Sequence, residues 1–196
     1  MEVTNQTLRL IDCEPLTAYV RCTLTEADLP AHVSDVQFTH CTFSADQTRN
    51  DFVNVVFDHC DLANIDFTGA KFGGCTFTHS RLMGANFTSA TFVEVHMQGC
   101  PAQMTLFADS SLRKCGFTDC DFTDASFQAV TTRTKTIFKN CVMHQVDLID
   151  TRLKNWDVSA SDIDGLRARP EDIYGLTIAP FQAATLIGMF GVRVKD

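Results

Sequence analysis

Residues Asp66 to Phe92 read DFTGAKFGGCTFTHSRLMGANFTSATF, with a large apolar residue at every fifth place: Phe67, Phe72, Phe77, Leu82, Phe87 and Phe92. An α-helix repeats its apolar face about every 3.6 residues and a strand every 2. A period of five fits neither. The fives begin at Phe52 and run through Phe57 and Leu62 to Met97; they resume at Phe107, Leu112, Phe117, Phe122 and Phe127. A third run covers Phe138, Met143, Leu148, Leu153, Val158 and Ile163. Two residues before each centre sits a mostly small residue, such as Cys60, Ala70, Cys75 and Ala85. Two residues after it comes a turn former or polar group, such as Asn54, His59, Gly69 and Gly84. One large and one small residue per quintet therefore point inward, and a bend follows. A chain that turns a corner every five residues closes into a coil.

The cysteines count the corners. Cys22, Cys41, Cys60, Cys100, Cys120 and Cys141 fall in one series, with Ser80 and Ser161 filling its other places. Successive members lie 19 to 21 residues apart, so one coil is four quintets. A second column, Phe67, Phe87, Phe107 and Phe127, has the same spacing. The rhythm slips by one residue three times: one is lost between Leu29 and Phe38, one lost between Phe43 and Phe52, and one gained between Phe127 and Phe138. This is a repeat solenoid in which each coil buries its open faces on its neighbours. Seven coils at the β-sheet spacing make a rod of about 34 Å. Burying each Phe contributes about 1.5–3 kcal/mol, so the aromatic columns, with Cys41, Cys60, Cys100 and Cys120 beside them, form the core.

Quintets such as CDLAN, ANFTS, CGFTD and CDFTD resemble those of the pentapeptide-repeat family over roughly Cys22 to Ile163. The resemblance implies an all-β fold, a right-handed quadrilateral β-helix. The expected organisation is an N-terminal cap over 1–21, the β-helix over 22–165, and a C-terminal cap over 166–196. In the last segment, Pro180 suits a first helical position and Gly191 a helix end, which predicts one short α-helix over Phe181 to Phe190. Val192 and Val194 alternate with Arg193 and Lys195 as a short strand would. That helix is apolar nearly all round, with only Gln182 and Thr185 clearly polar. One face covers the last coil and the other needs a second partner. Phe181, Ala184, Leu186, Ile187, Met189 and Phe190 are the candidate contacts of a homodimer, in line with the C-terminal dimer contact of some members of the family.

The 196 residues carry a net charge of −8, which disfavours direct binding to nucleic acid or an anionic membrane. No run of about 18 apolar residues predicts a membrane span. The N-terminus, MEVTNQTLRL, lacks the basic flank and apolar stretch of a secretion signal. Nine cysteines in such a chain point to reduced thiols and a cytoplasmic setting. The cysteine column invites a redox reading, but cysteine is also a small buried filler, and serine replaces it twice. His40, His59 and His79 share a bend column without a carboxylate in that column, so they read as polar corners and no metal is expected. No Gly-rich phosphate loop, HExxH or GxSxG occurs, so neither cofactor nor catalytic residue is assigned, and the chain is not expected to be an enzyme.

Acid is the remaining signal. Asp51, Asp58, Asp61 and Asp66 lie in a stretch without Lys or Arg, as do Asp119, Asp121 and Asp124. The quinolone-resistance members of the resembled family look like a rod of duplex DNA and bind DNA gyrase and topoisomerase IV where DNA would. The resemblance thus implies a DNA-mimicking modulator with those seven aspartates as its partner face. From Cys22 to Ile163 there are 17 acidic and 10 basic residues, whereas a duplex of that length carries about 20 charges. Mimicry would be partial, and the alternative is a structural scaffold for another protein. A continuous acidic stripe on one side would mark the first; acid and base mixed on all sides would mark the second.

Overall fold

A computed structural model describes residues 1–26 and 29–194. The five-residue rhythm is realised as a four-sided parallel β-solenoid. One side is a sheet of nine strands, from Glu2–Thr4 to Trp156–Asp162, one per coil and so about eight turns. The side before it in each coil is a six-stranded sheet containing Asp51–Val53, Lys71–Gly73 and Thr91–Val93. The third side begins as the three strands Thr7–Arg9, Thr23–Thr25 and Thr42–Phe43, then continues as single bridges such as Asp61 to Arg81 and Pro101 to Asp121. The fourth side is made of bridges alone, from Asp46 and Asp66 through Leu106 to Arg167.

Corners form where one residue per quintet enters the left-handed region. His40, His59 and His79 have φ of 54°, 52° and 49°. Asn64 and Asp124 do the same on the next corner. Most side chains pay a steric cost in that region, which Gly, Asn and Asp bear best. At Gly74 and Gly84 a Cβ would also come within 2.5 and 2.3 Å of the Asn54 and Asn64 side-chain oxygens of the preceding coil.

The expected columns are real. Phe67, Phe87, Phe107 and Phe127 are fully buried, with successive ring centroids 5.1, 5.0 and 4.5 Å apart and planes tilted by 3°, 20° and 4°. Rings in neighbouring columns meet edge to face, as Phe72 does with Phe87 at 72°. The coil repeat imposes the first geometry and the ring quadrupole favours the second. The single-residue slips appear as pairings: Gln37 lies opposite Val56, Thr76 opposite His96, and Gly116 opposite Ile137.

Both ends depart from the sequence reading. Glu2 pairs with Ala18 and Thr7 with Thr23, so residues 1–21 hold a shortened first coil, with a 3-10 turn at Leu10–Asp12, and the start of the second. Leu29, where a slip was placed, is 70% exposed and no inward centre. At the other end the ladder runs on: Arg167 N donates to Val146 O at 2.8 Å and Thr177 N to Trp156 O at 2.9 Å. Ile163, Ala168, Ile173 and Ile178 continue the fives, with Gly165 and Gly175 at left-handed corners.

The helix expected over Phe181 to Phe190 is a 3-10 turn at Pro180–Gln182 followed by an α-helix at Ala183–Gly188. Val192 and Val194 are exposed and form no strand. Alternation alone supplies no hydrogen-bonding neighbour, and none lies beside them among the described residues; Lys195 lies outside those residues. No helix among the described residues is long and apolar enough to cross a membrane.

Candidate interaction surface

With the core filled by side chains, the rod's outward positions are where chemistry can reside. The seven aspartates do not share a side. Asp51 lies on the six-stranded side, Asp58 on the nine-stranded side, Asp61 and Asp121 on the third and Asp66 on the fourth. Asp119 and Asp124 sit at the corners that end their quintets.

Their partners explain why they are aspartates. Asp61 takes a two-point ion pair from Arg81, at 3.0 Å from Nε and 2.7 Å from Nη2, across one coil step. Asp51 meets His32 Nδ1 at 3.0 Å and Asp58 meets His59 Nδ1 at 2.9 Å. Asp66 accepts from the backbone N–H and the hydroxyl of Thr68, and Asp121 from those of Thr123. These are Asx turns, which an aspartate before the centre forms to brace the coming bend. Asp119 accepts from Asn140 Nδ2 at 3.1 Å. Arg81, twenty residues after Asp61 in sequence, is brought back to it by the coil.

A further group of acids lies on the third side around His144. His144 Nε2 stands 2.8 Å from Asp162, near Asp164 and Asp121. The close approach of Asp162 and the field of these carboxylates hold the His144 imidazole above its ordinary pKa, while His144 holds the Asp162 carboxyl below the usual range.

The cysteine column is a hydrogen-bonding ladder, with all nine cysteines free. Cys41 Sγ donates to Tyr19 O, Cys60 to Phe38 O, Cys100 to Phe77 O and Cys141 to Phe117 O, in each case the carbonyl of a large residue in the preceding coil. Ser80 and Ser161 bond Phe57 O and Phe138 O in the same way. A small side chain with a donor is what the position selects, so cysteine and serine interchange. Burial pushes the Cys75 thiol up to about 11 and raises that of Cys115; a proton shared with Cys41, together with burial, raises that of Cys60.

The C-terminal helix divides its residues between two roles. Leu186 is buried, and Met189 is partly buried against the core, so both contribute to the cap. Phe181 at 74% and Ile187 at 41% exposure, with Ala184, face outward, and Phe190 is half-buried. The polar residue Gln182 is 2% exposed. Its Nε2 donates to Val158 O at 2.9 Å and Ser161 O at 2.6 Å, and its Oε1 accepts from Ala179 N at 2.7 Å. It closes the last coil's hydrogen bonds. The signal was present in the sequence as a lone amide in an apolar segment.

Residues 50–115 match the family described as pentapeptide repeat region. The chain carries a pentapeptide-repeat region. The columns place its coils at the middle of the rod, with the same geometry extending on both sides. No curated protein matches this chain in sequence. Among solved structures it is similar to trypsin-treated QnrB1, a plasmid-mediated fluoroquinolone resistance protein, at 18% identity and TM-score 0.39, covering 100% of this chain and 90% of that one. It is also similar to HetL, a pentapeptide repeat protein involved in heterocyst differentiation regulation from the cyanobacterium Nostoc, at 12% identity and TM-score 0.42, covering 92% and 88%.

Proposed function

We propose that the chain is a non-enzymatic solenoid that binds a protein partner along its sides and a second copy of itself at its C-terminal end. The spread of the seven aspartates over four sides and two corners carries the first half. One of them, Asp61, is ion-paired with Arg81, and the carboxylates of Asp51 and Asp58 are engaged by the imidazoles of His32 and His59. A duplex mimic needs unbroken negative charge on one side, whereas mixed sides suit a scaffold read by shape and alternating polarity. Exposed Phe181 and Ile187 at the rod's end support the second half, because one helix face is already committed to the core.

DNA mimicry directed at gyrase or topoisomerase IV is the second reading. The group of Asp121, Asp162 and Asp164 around His144 favours it. A gyrase supercoiling assay with added protein, with and without a fluoroquinolone, separates the two. The scaffold reading expects supercoiling and drug inhibition to be unchanged. Inhibition or protection that disappears in an Asp121→Lys, Asp162→Lys double variant would establish mimicry instead.

A further inference from the structure

We propose that Asp58, His59 and His79 form a surface site for one divalent transition-metal ion, with Zn²⁺ as its reference ligand. The corner column places His59 and His79 one coil apart, with ring centroids 5.0 Å apart and planes 26° from parallel. Asp58 precedes His59 directly, and its carboxylate already meets His59 Nδ1 at 2.9 Å. One ligand atom from each of the three residues lies within 4.8 Å of the other two. A tetrahedral ion with bonds of about 2.0–2.1 Å needs ligand atoms about 3.3 Å apart. Both imidazoles are exposed at a corner and Asp58 is half-buried beside them, so rotation of the two rings closes that gap without moving the backbone.

The surroundings fit this use. Two imidazoles and a carboxylate form a donor set suited to Zn²⁺ and its first-row neighbours rather than to Ca²⁺ or Mg²⁺. No Lys or Arg is paired with Asp58 among the described residues; its ion pair is with His59. The next position in the column is Gly99, where a Cβ would stand 2.7 Å from His79 Cδ2. The glycine thus lets the His79 ring lie over the following coil. His40 lies on the other side of His59, with ring centroids 5.0 Å apart and planes tilted by 44°. Three protein ligands leave a coordination position for water or for a donor from a partner protein. A bound ion would join two successive coils on their outer edge, where the coils are otherwise held by backbone bonds.

Isothermal titration of the reduced full-length chain with Zn²⁺, using a phosphine reductant, tests this directly. The expected result is one ion per chain and a higher melting temperature with Zn²⁺. In the His59→Ala, His79→Ala double variant binding disappears, and without metal the variant melts like the parent. Asp58→Asn weakens binding by at least about 10–100-fold, the loss usual for a carboxylate that only supports a ligand and so a lower bound for a ligand itself. Cobalt(II) should give the visible bands of nitrogen and oxygen ligation. Absence of binding at micromolar Zn²⁺, binding that survives the double variant, or a thiolate-to-cobalt charge-transfer band would each overturn the site.

Discussion

The side-chain amide of Gln182 lies 2.6 Å from the carbonyl oxygen of Ser161, joining the terminal helix to the last member of the cysteine column. A solenoid exposes a row of unpaired backbone groups at each end. This contact, with the one to Val158 O, satisfies two of them in a buried place. Gln182→Leu keeps the volume and removes the donors. It is expected to cost about 1–3 kcal/mol per buried group left unpaired, read as a lower urea midpoint at constant slope. An unchanged midpoint would mean that the cap is held by Leu186 and Met189 alone.

The stack through Phe87 is the test of the core. Its neighbours Phe67 and Phe107 lie at 5.1 and 5.0 Å and cannot close over a gap, because backbone bonds fix the coil spacing. Phe87→Ala is expected to lose about 3–5 kcal/mol, and Phe87→Glu to prevent folding by burying an unpaired charge. Asp61→Asn breaks an exposed pair with Arg81 and is expected to cost at most about 1 kcal/mol. Thermal melts should place Asp61→Asn close to the parent and Phe87→Ala well below it, with no folded transition for Phe87→Glu.

The column thiols are expected to be inert in the folded state because they are buried, Cys41 included, although hydrogen bonding with Cys60 lowers its thiol to about 7. The sequence alone sets Cys13 apart as the one to react first, but burial pushes its thiol up to about 12. Since the thiolate is the nucleophile, Cys13 stays protonated at neutral pH and is slow with the rest. A water-soluble thiol reagent should label all nine together on denaturation. Rapid native labelling of the column would show that the coils open locally.

The pair of His144 and Asp162 gives stability a pH dependence with a defined sign. His144 is raised above 6.5, so its contribution is complete below that value and is lost as pH rises through its folded pKa. Asp162 is depressed below 3.8, so its contribution is present above that value and is lost as pH falls through its folded pKa. The pair therefore stabilises most between 3.8 and 6.5. Both side chains are well exposed, at 40% and 61%, which limits the effect to about 1 kcal/mol. Comparing parent and Asp162→Asn across pH should show a difference that shrinks on the alkaline side. A difference that grows there would contradict the assignment.

Sedimentation tests the self-association. Phe181→Asp with Ile187→Asp alters outward residues only, and is expected to yield a monomer with the circular dichroism of the parent. A parent chain that is already monomeric at micromolar concentration would remove the dimer.

The sequence by itself determined the solenoid. A period of five, with Cys22, Cys41 and Cys60 marking four quintets per coil, leaves one solution, because every coil must bury the same inward pair. It also determined the columns, down to the slips between Phe43 and Phe52 and between Phe127 and Phe138. The continuation through Ile163, Ala168, Ile173 and Ile178 was present but obscured, since Ala168 is small for a centre and Leu166 and Leu176 are large for the inward partner.

Only the tertiary structure decided which outward residues meet. An exposed side chain leaves no periodic trace, so sequence proximity grouped Asp51, Asp58, Asp61 and Asp66, which the corners then distribute over all four sides. The coil step did the reverse for Asp61 and Arg81, and for His59 and His79, distant in sequence and adjacent in space. The helix showed the same limit. Its apolar composition could not say that Leu186 and Gln182 turn inward while Phe181 and Ile187 turn out, because that rotation is set by the unpaired carbonyls of the last coil, groups that every sequence contains and only a fold places.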